Sequence, residues 1–146
     1  MNVLSDTMVK FGYPETLIKE YAHWCVLLRK EQTTLGSLIL ISKEQKTCFS
    51  DISSDGFAEF RNIVKDIESV LSKLFQYDKI NYLMLMMIDP DVHFHVIPRY
   101  SKTLEFNNIE FNDYGWSGLP ELSQINIIDK ESFTKLKERI RNNINY

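Results

Sequence analysis

Cysteine is scarce in this chain. Cys25 and Cys48 are the only two among 146 residues, and their spacing fits neither a metal knuckle nor a disulfide framework. Both are expected to be reduced, buried thiols. Long apolar runs are missing as well: no stretch approaches the roughly 18 residues of a spanning helix. The first turns hold Asp6, Lys10 and Gly12 in place of an apolar signal core. A cytoplasmic protein with no membrane association is therefore expected. Positive charge is not in excess. Seventeen basic against twenty acidic residues give a net charge of −3, which disfavours nonspecific duplex binding through phosphate neutralisation. Nucleic acid is thus not an expected partner, although a small basic pocket remains compatible. No repeat, low-complexity tract or linker divides the chain, so a single domain over residues 1–146 is expected.

Several segments carry a clear pattern. Pro14 to Tyr21 fits a short helix with proline at its first position. His23 to Arg29 and Ser37 to Ser42 read as two strands, joined by a polar connection that ends in Gly36, and predict an antiparallel pair. Ser53-Ser54-Asp55 is a helix start. Beyond it Phe57, Phe60, Ile63, Val64, Ile67, Val70, Leu71 and Leu74 recur in steps of three and four, predicting one long helix that covers a sheet. Ile80 to Ile88 is almost wholly apolar and predicts a buried strand, with Met84, Met86 and Met87 as core packing. Asp89-Pro90 marks a turn into the next strand, which pairs antiparallel with it. Residues 101–124 read as a long loop, and Asp129 to Ile144 as a closing helix with Phe133, Leu136, Ile140 and Ile144 on one side.

The remaining strand, Asp91 to Tyr100, carries the chemistry. Side chains alternate along a strand, which puts Asp91, His93 and His95 on one face and Val92, Phe94 and Val96 on the other. Neighbouring same-face residues stand about 6–7 Å apart. Pro98 suggests an edge strand or a strand end. Three readings fit the polar row. The two histidines face solvent or satisfy each other. They hold a metal with Asp91 as a third ligand, which requires the strand to bend, because positions 91 and 95 lie about 13 Å apart. Or a neutral imidazole attacks phosphorus, its other ring nitrogen held as a donor by an acceptor.

Asp91-Val92-His93-Phe94-His95-Val96-Ile97-Pro98-Arg99 resembles the histidine-triad signature of the HIT superfamily, matching its last two histidines. The order of elements agrees. His23 to Arg29, Thr34-Leu35-Gly36 and Asn81 to Met87 resemble, more narrowly, a bacterial branch related to diadenosine-tetraphosphate hydrolases. The resemblance runs from about Tyr13 to Leu122. It implies an α+β HIT-like fold: an antiparallel sheet of about five strands packed against one long central helix and a C-terminal helix. A domain core at about residues 13–122 and a closing helix at about 129–144 follow, as does a homodimer. It further implies hydrolysis or transfer at the α-phosphate of a nucleotide. His93 would be the transiently nucleotidylated nucleophile, and His95 the group beside phosphate and leaving group. No cofactor is required, and magnesium can arrive with a polyphosphate substrate; no metal site is expected.

The departures are specific. Asp91 stands at the first triad position. Ser37 follows Gly36 where many members have histidine, and Arg29 stands where many have a ribose-binding asparagine. Arg29 and Arg99 are candidates for phosphate contact, since a guanidinium suits phosphate bidentately. Asn81 and Gln32 could bond a ribose or base, and Trp116 could stack on a base. Arg29, Ser37, Asn81 and Arg99 form the expected nucleotide-binding set, beside catalytic Asp91, His93 and His95. The alternative is a nucleotide-binding regulatory module with little or no turnover.

Overall fold

The structure is a computed structural model that describes residues 4–145. The expected extent of 1–146 therefore runs past the described residues at both ends. The elements in order are α1 (Asp6–Lys10), β1 (Leu17–Glu20), β2 (Trp24–Leu28), β3 (Leu38–Ser42), a 3-10 turn (Phe49–Asp51), α2 (Ser54–Phe75), β4 (Lys79–Leu83), β5 (His93–Arg99), β6 (Leu104–Phe106), β7 (Ile109–Phe111) and α3 (Lys130–Arg141). The first five strands form one sheet in the order β1-β2-β3-β5-β4, antiparallel throughout. This is the α+β architecture expected, with two helices packed on it.

Helix α2 starts where the serine pair predicted. The Ser53 hydroxyl accepts the Gly56 N–H at 2.9 Å, satisfying a donor that the first turn leaves open. Ile63, Ile67, Val70, Leu71 and Phe75 turn inward and join Trp24, Val26, Leu28, Leu38, Leu40, Phe94 and Val96 in the main core. Trp24 Nε1 donates to the Gly56 carbonyl at 2.8 Å and ties β2 to the helix. Each large aliphatic side chain fully removed from water contributes about 1.5–3 kcal/mol, so this face is the main source of cohesion. Phe57 departs from the expected stripe: it lies 40% exposed and packs on Phe49. Leu136, Ile140 and Ile144 bring α3 to the same core.

The opposite face of the sheet carries Cys25, Leu27, Ile39 and Ile41, covered by Met8, Phe11, Tyr13 and Leu17. Central strands β2 and β3 are buried at every position. That two-sided burial is why both read as continuous apolar runs.

Several expectations are corrected. The helix expected at Pro14–Tyr21 is strand β1, because Leu17, Lys19 and Glu20 pair with Leu27, Val26 and Cys25; tertiary pairing outweighs a proline start signal. The first helix lies earlier, capped by the Ser5 hydroxyl accepting from Met8 N–H. The apolar run at 80–88 pairs only to Leu83. Met86 adopts a positive φ of 48°, which ends extension, and Met87 and Ile88 are 87% and 85% exposed rather than core. Strand β5 is interior, not an edge. Pro98 is tolerated because β3 ends at the Leu38–Val96 pair, so beyond it no strand needs the missing N–H on that side. The Pro98 carbonyl, on the same side, accepts from Thr34 Oγ1 instead. The loop expected at 101–124 contains the β6–β7 hairpin, turned by Asn107 and Asn108, both at positive φ. Cys25 is buried as expected, but Cys48 is exposed.

Candidate functional site

The register decides which residues meet. His95 lies opposite Ile39 and His93 opposite Ile41. Directly paired residues share a face, so both imidazoles lie on the side away from α2, beneath the N-terminal segment. His93 is 2% and His95 8% exposed. Their rings meet edge to face at 5.2 Å between centroids. Phe11, just beyond α1, covers both, at 5.3 Å from the His93 ring and 5.9 Å from that of His95.

Asp91 does not extend the row. β5 begins at His93, and Asp91 sits in the bend before it. Its backbone carbonyl, not its carboxylate, lies 2.6 Å from His93 Nδ1. A carbonyl only accepts, so Nδ1 carries the proton and Nε2 the lone pair. The side-chain identity at position 91 is bypassed in this contact.

His95 is set differently. Arg29 Nε donates to His95 Nδ1 at 3.4 Å. Burial, then the Arg29 cation and His93, push the imidazole down to about 4, against a smaller opposing effect of Asp89. It is neutral near pH 7. Arg29 is held by Nη1 donating to the Glu31 carbonyl at 2.7 Å and to Thr33 Oγ1 at 2.8 Å. Burial lowers the guanidinium below its usual value.

A cavity of about 300 Å³ opens beside His95, lined by Lys10, Phe11, Arg29, Lys30, Glu31, Asp89 and His95. Lys10 and Asp89 form an ion pair across its mouth at 2.7 Å. With His95 neutral, three cations face two carboxylates. The local balance is positive within an acidic chain and suits an anionic ligand. Lys10, Phe11, Lys30, Glu31 and Asp89 were absent from the expected set. They come from the end of α1 and from the β2–β3 and β4–β5 connections, and no local spacing marks them.

Other expected residues lie elsewhere. Arg99 bonds Asp113 twice, at 2.7 and 3.1 Å, and donates to Asn81 Oδ1 at 2.8 Å. The pair is deeply buried, with the Asp113 side chain 1% exposed. Asn81, Arg99 and Trp116 line a broader depression of about 750 Å³ along β4 that contains neither imidazole. Ser37 is buried in its own turn, its hydroxyl donating to the Thr34 carbonyl at 2.8 Å and accepting from Thr34 N–H at 3.0 Å. Gln32 closes the same connection, Nε2 donating to the carbonyls of Arg29 and Ser37. It supports Arg29 without lining the cavity. Among the described residues no group of three or more His, Cys, Asp or Glu is arranged to hold a metal ion. No helix among them is long and apolar enough to cross a membrane.

Residues 11–102, more than half of the chain, match the model of the HIT domain. The chain belongs to the HIT family. That family comprises nucleotide-binding proteins that are generally hydrolases or transferases. A search of curated proteins returns no match. Solved HIT structures share the fold throughout. A histidine triad protein from Sinorhizobium meliloti is 18% identical, covering 99% of this chain and 98% of its own, at a TM-score of 0.75. One from Marinobacter aquaeolei is 18% identical over 99% and 96%, at 0.74. One from Bradyrhizobium japonicum is 16% identical over 97% of each chain, at 0.72. In this HIT chain the triad strand is β5, with two imidazoles on the face under Phe11.

Proposed function

We propose that this HIT protein is a nucleotidyl hydrolase or transferase acting at the α-phosphate of a dinucleoside polyphosphate or nucleoside phosphoramidate. It would belong with the diadenosine-tetraphosphate-hydrolase-like branch and work as a cytoplasmic homodimer. The observation that carries the reading is the 2.6 Å contact from His93 Nδ1 to the Asp91 carbonyl. It leaves Nε2 with a free electron pair, as a nucleophile at phosphorus requires.

In the first step the Nε2 lone pair forms a bond to the α-phosphorus, and the bond from phosphorus to the leaving group breaks. That bonding pair departs with the leaving group, which goes as an oxyanion from a polyphosphate and as a neutral amine, taking a proton from solvent, from a phosphoramidate. The His93 ring becomes cationic while Nδ1–H stays on the carbonyl. A neutral His95 donates a hydrogen bond to the phosphoryl or leaving oxygen without giving up its proton, and Arg29 adds positive charge nearby. In the second step water attacks phosphorus, the P–N bond returns its pair to Nε2, and the water proton passes to solvent. No required cofactor enters either step; magnesium comes only with a polyphosphate substrate. Arg29 and the cavity lysines are the phosphate contacts this geometry favours over Ser37, Asn81 and Arg99.

The burial of His93 behind Phe11 favours a second reading, a nucleotide-binding module with little turnover. Intact-protein mass spectrometry separates the two. The protein is mixed briefly with diadenosine tetraphosphate, or with an adenosine phosphoramidate, and quenched at neutral or basic pH. The enzyme reading expects an adenylyl adduct that is absent in His93→Ala. No adduct and no substrate consumed over hours, with a nucleoside monophosphate still raising the melting temperature, supports the binding module.

A further inference from the structure

Arg29 ends β2 one residue past the strand, its N–H donating to the Ser37 carbonyl at 3.0 Å. Its guanidinium has little freedom. Nη1 is engaged by the Glu31 carbonyl and Thr33 Oγ1, and Nη2 stands 3.8 Å from the Glu31 carboxylate. Of its donors, Nε–H is the one directed at His95 Nδ1. A guanidinium has donors and no acceptor. The nitrogen it faces must therefore be the unprotonated one, and the proton of His95 resides on Nε2. His93, two residues earlier, is set the other way by the Asp91 carbonyl. Two adjacent imidazoles, 5.2 Å apart, thus hold opposite tautomers, one presenting a lone pair at Nε2 and the other a hydrogen.

We propose that Arg29 is a positioning residue: it locks His95 as the neutral Nε2–H tautomer, opposite to His93, so that one ring attacks while the other donates. The use in catalysis rests on the function proposed above; the tautomer itself does not. Arg29 achieves this in two ways. Its Nε–H occupies Nδ1, and its charge opposes a second proton on the ring. The other charged or titratable groups around His95 are His93, Asp89, Lys10, Lys30 and Glu31. Of these Asp89 favours protonation, while burial and Arg29 outweigh it.

The test is long-range proton–nitrogen NMR of the imidazoles in the full chain, before and after Arg29→Met, with Arg29→Lys alongside. In the parent protein His95 is expected to show a protonated Nε2 and a bare Nδ1, unchanged from neutral pH to pH 5. In Arg29→Met its two nitrogen shifts are expected to converge toward the average of mixed tautomers and to titrate at higher pH. Arg29→Lys, which keeps the charge and loses the directed Nε–H, should mix the tautomers with a smaller change in titration. The His93 signals serve as the control for the fold. A parent His95 carrying its proton on Nδ1 overturns the proposal without any variant. So does an unaltered His95 spectrum in Arg29→Met. Failure of the adenylyl adduct experiment would remove the catalytic use and leave this tautomer result standing.

Discussion

His95 should make the stability of this protein depend on pH in a way that glutamine at the same position removes. The imidazole is 8% exposed, and its ordinary value of 6.5 falls to about 4 in the fold. As pH drops below 6.5 the unfolded chain takes up a proton that the folded chain refuses. The folded state is therefore progressively penalised, and the loss levels off only below about 4. Stability from this group is fully present above the unfolded value and is lost as pH falls through that window. Across the whole window the two values correspond to about 3 kcal/mol. Between pH 7 and pH 5 the same linkage amounts to about 2 kcal/mol. The assay is urea unfolding of the parent and of His95→Gln at both pH values. Every other titrating group is common to the two proteins, so the difference of differences isolates position 95. The expected result is a parent that loses about 2 kcal/mol more than the variant on going to pH 5. Equal losses would refute the depressed imidazole and with it the electrostatic account of the site.

Two further outcomes follow from other contacts. Asp113→Ala strands the buried Arg99 guanidinium and removes the acceptor for Tyr100 N–H. It should lower unfolding stability by about 3 kcal/mol, and a loss under about 1 kcal/mol would mean the pair behaves as a solvent-exposed one. Phe11→Ala uncovers an imidazole that is 2% exposed. Diethyl pyrocarbonate should then modify His93 severalfold faster, followed by peptide mass spectrometry; an unchanged rate would show that Phe11 does not control access.

Local pattern was enough to place the long helix, the β2–β3 pair, the closing helix and the two histidines on one strand face. Each rests on a period or a cap that a short window contains. Ser53 announces α2, and the steps from Ile63 to Leu71 orient it. His93 and His95 share a face because strand side chains alternate. Patterns of this kind depend on backbone geometry alone, so they survive without knowledge of the partner elements.

What required the tertiary structure was everything set by partners distant in the chain. Leu17 to Glu20 are a strand because β2 offers an edge to pair with. Met87 and Ile88 lie outside because the ladder ends at Leu83, although their composition matches the buried residues before them. At the site, Asp91 meets His93 through a backbone carbonyl that every residue type possesses, which no side-chain pattern marks. Arg99 is taken up by Asp113, fourteen positions on, while Arg29 reaches an imidazole sixty-six positions away. Phe11 and Lys10 meet the histidine strand only after the N-terminal segment folds across the sheet. Local pattern alone named the strand that carries the histidines and the face their rings share. Only folding could supply the Phe11 cover over both rings and the Arg29 contact on His95, because those partners come from remote parts of the chain.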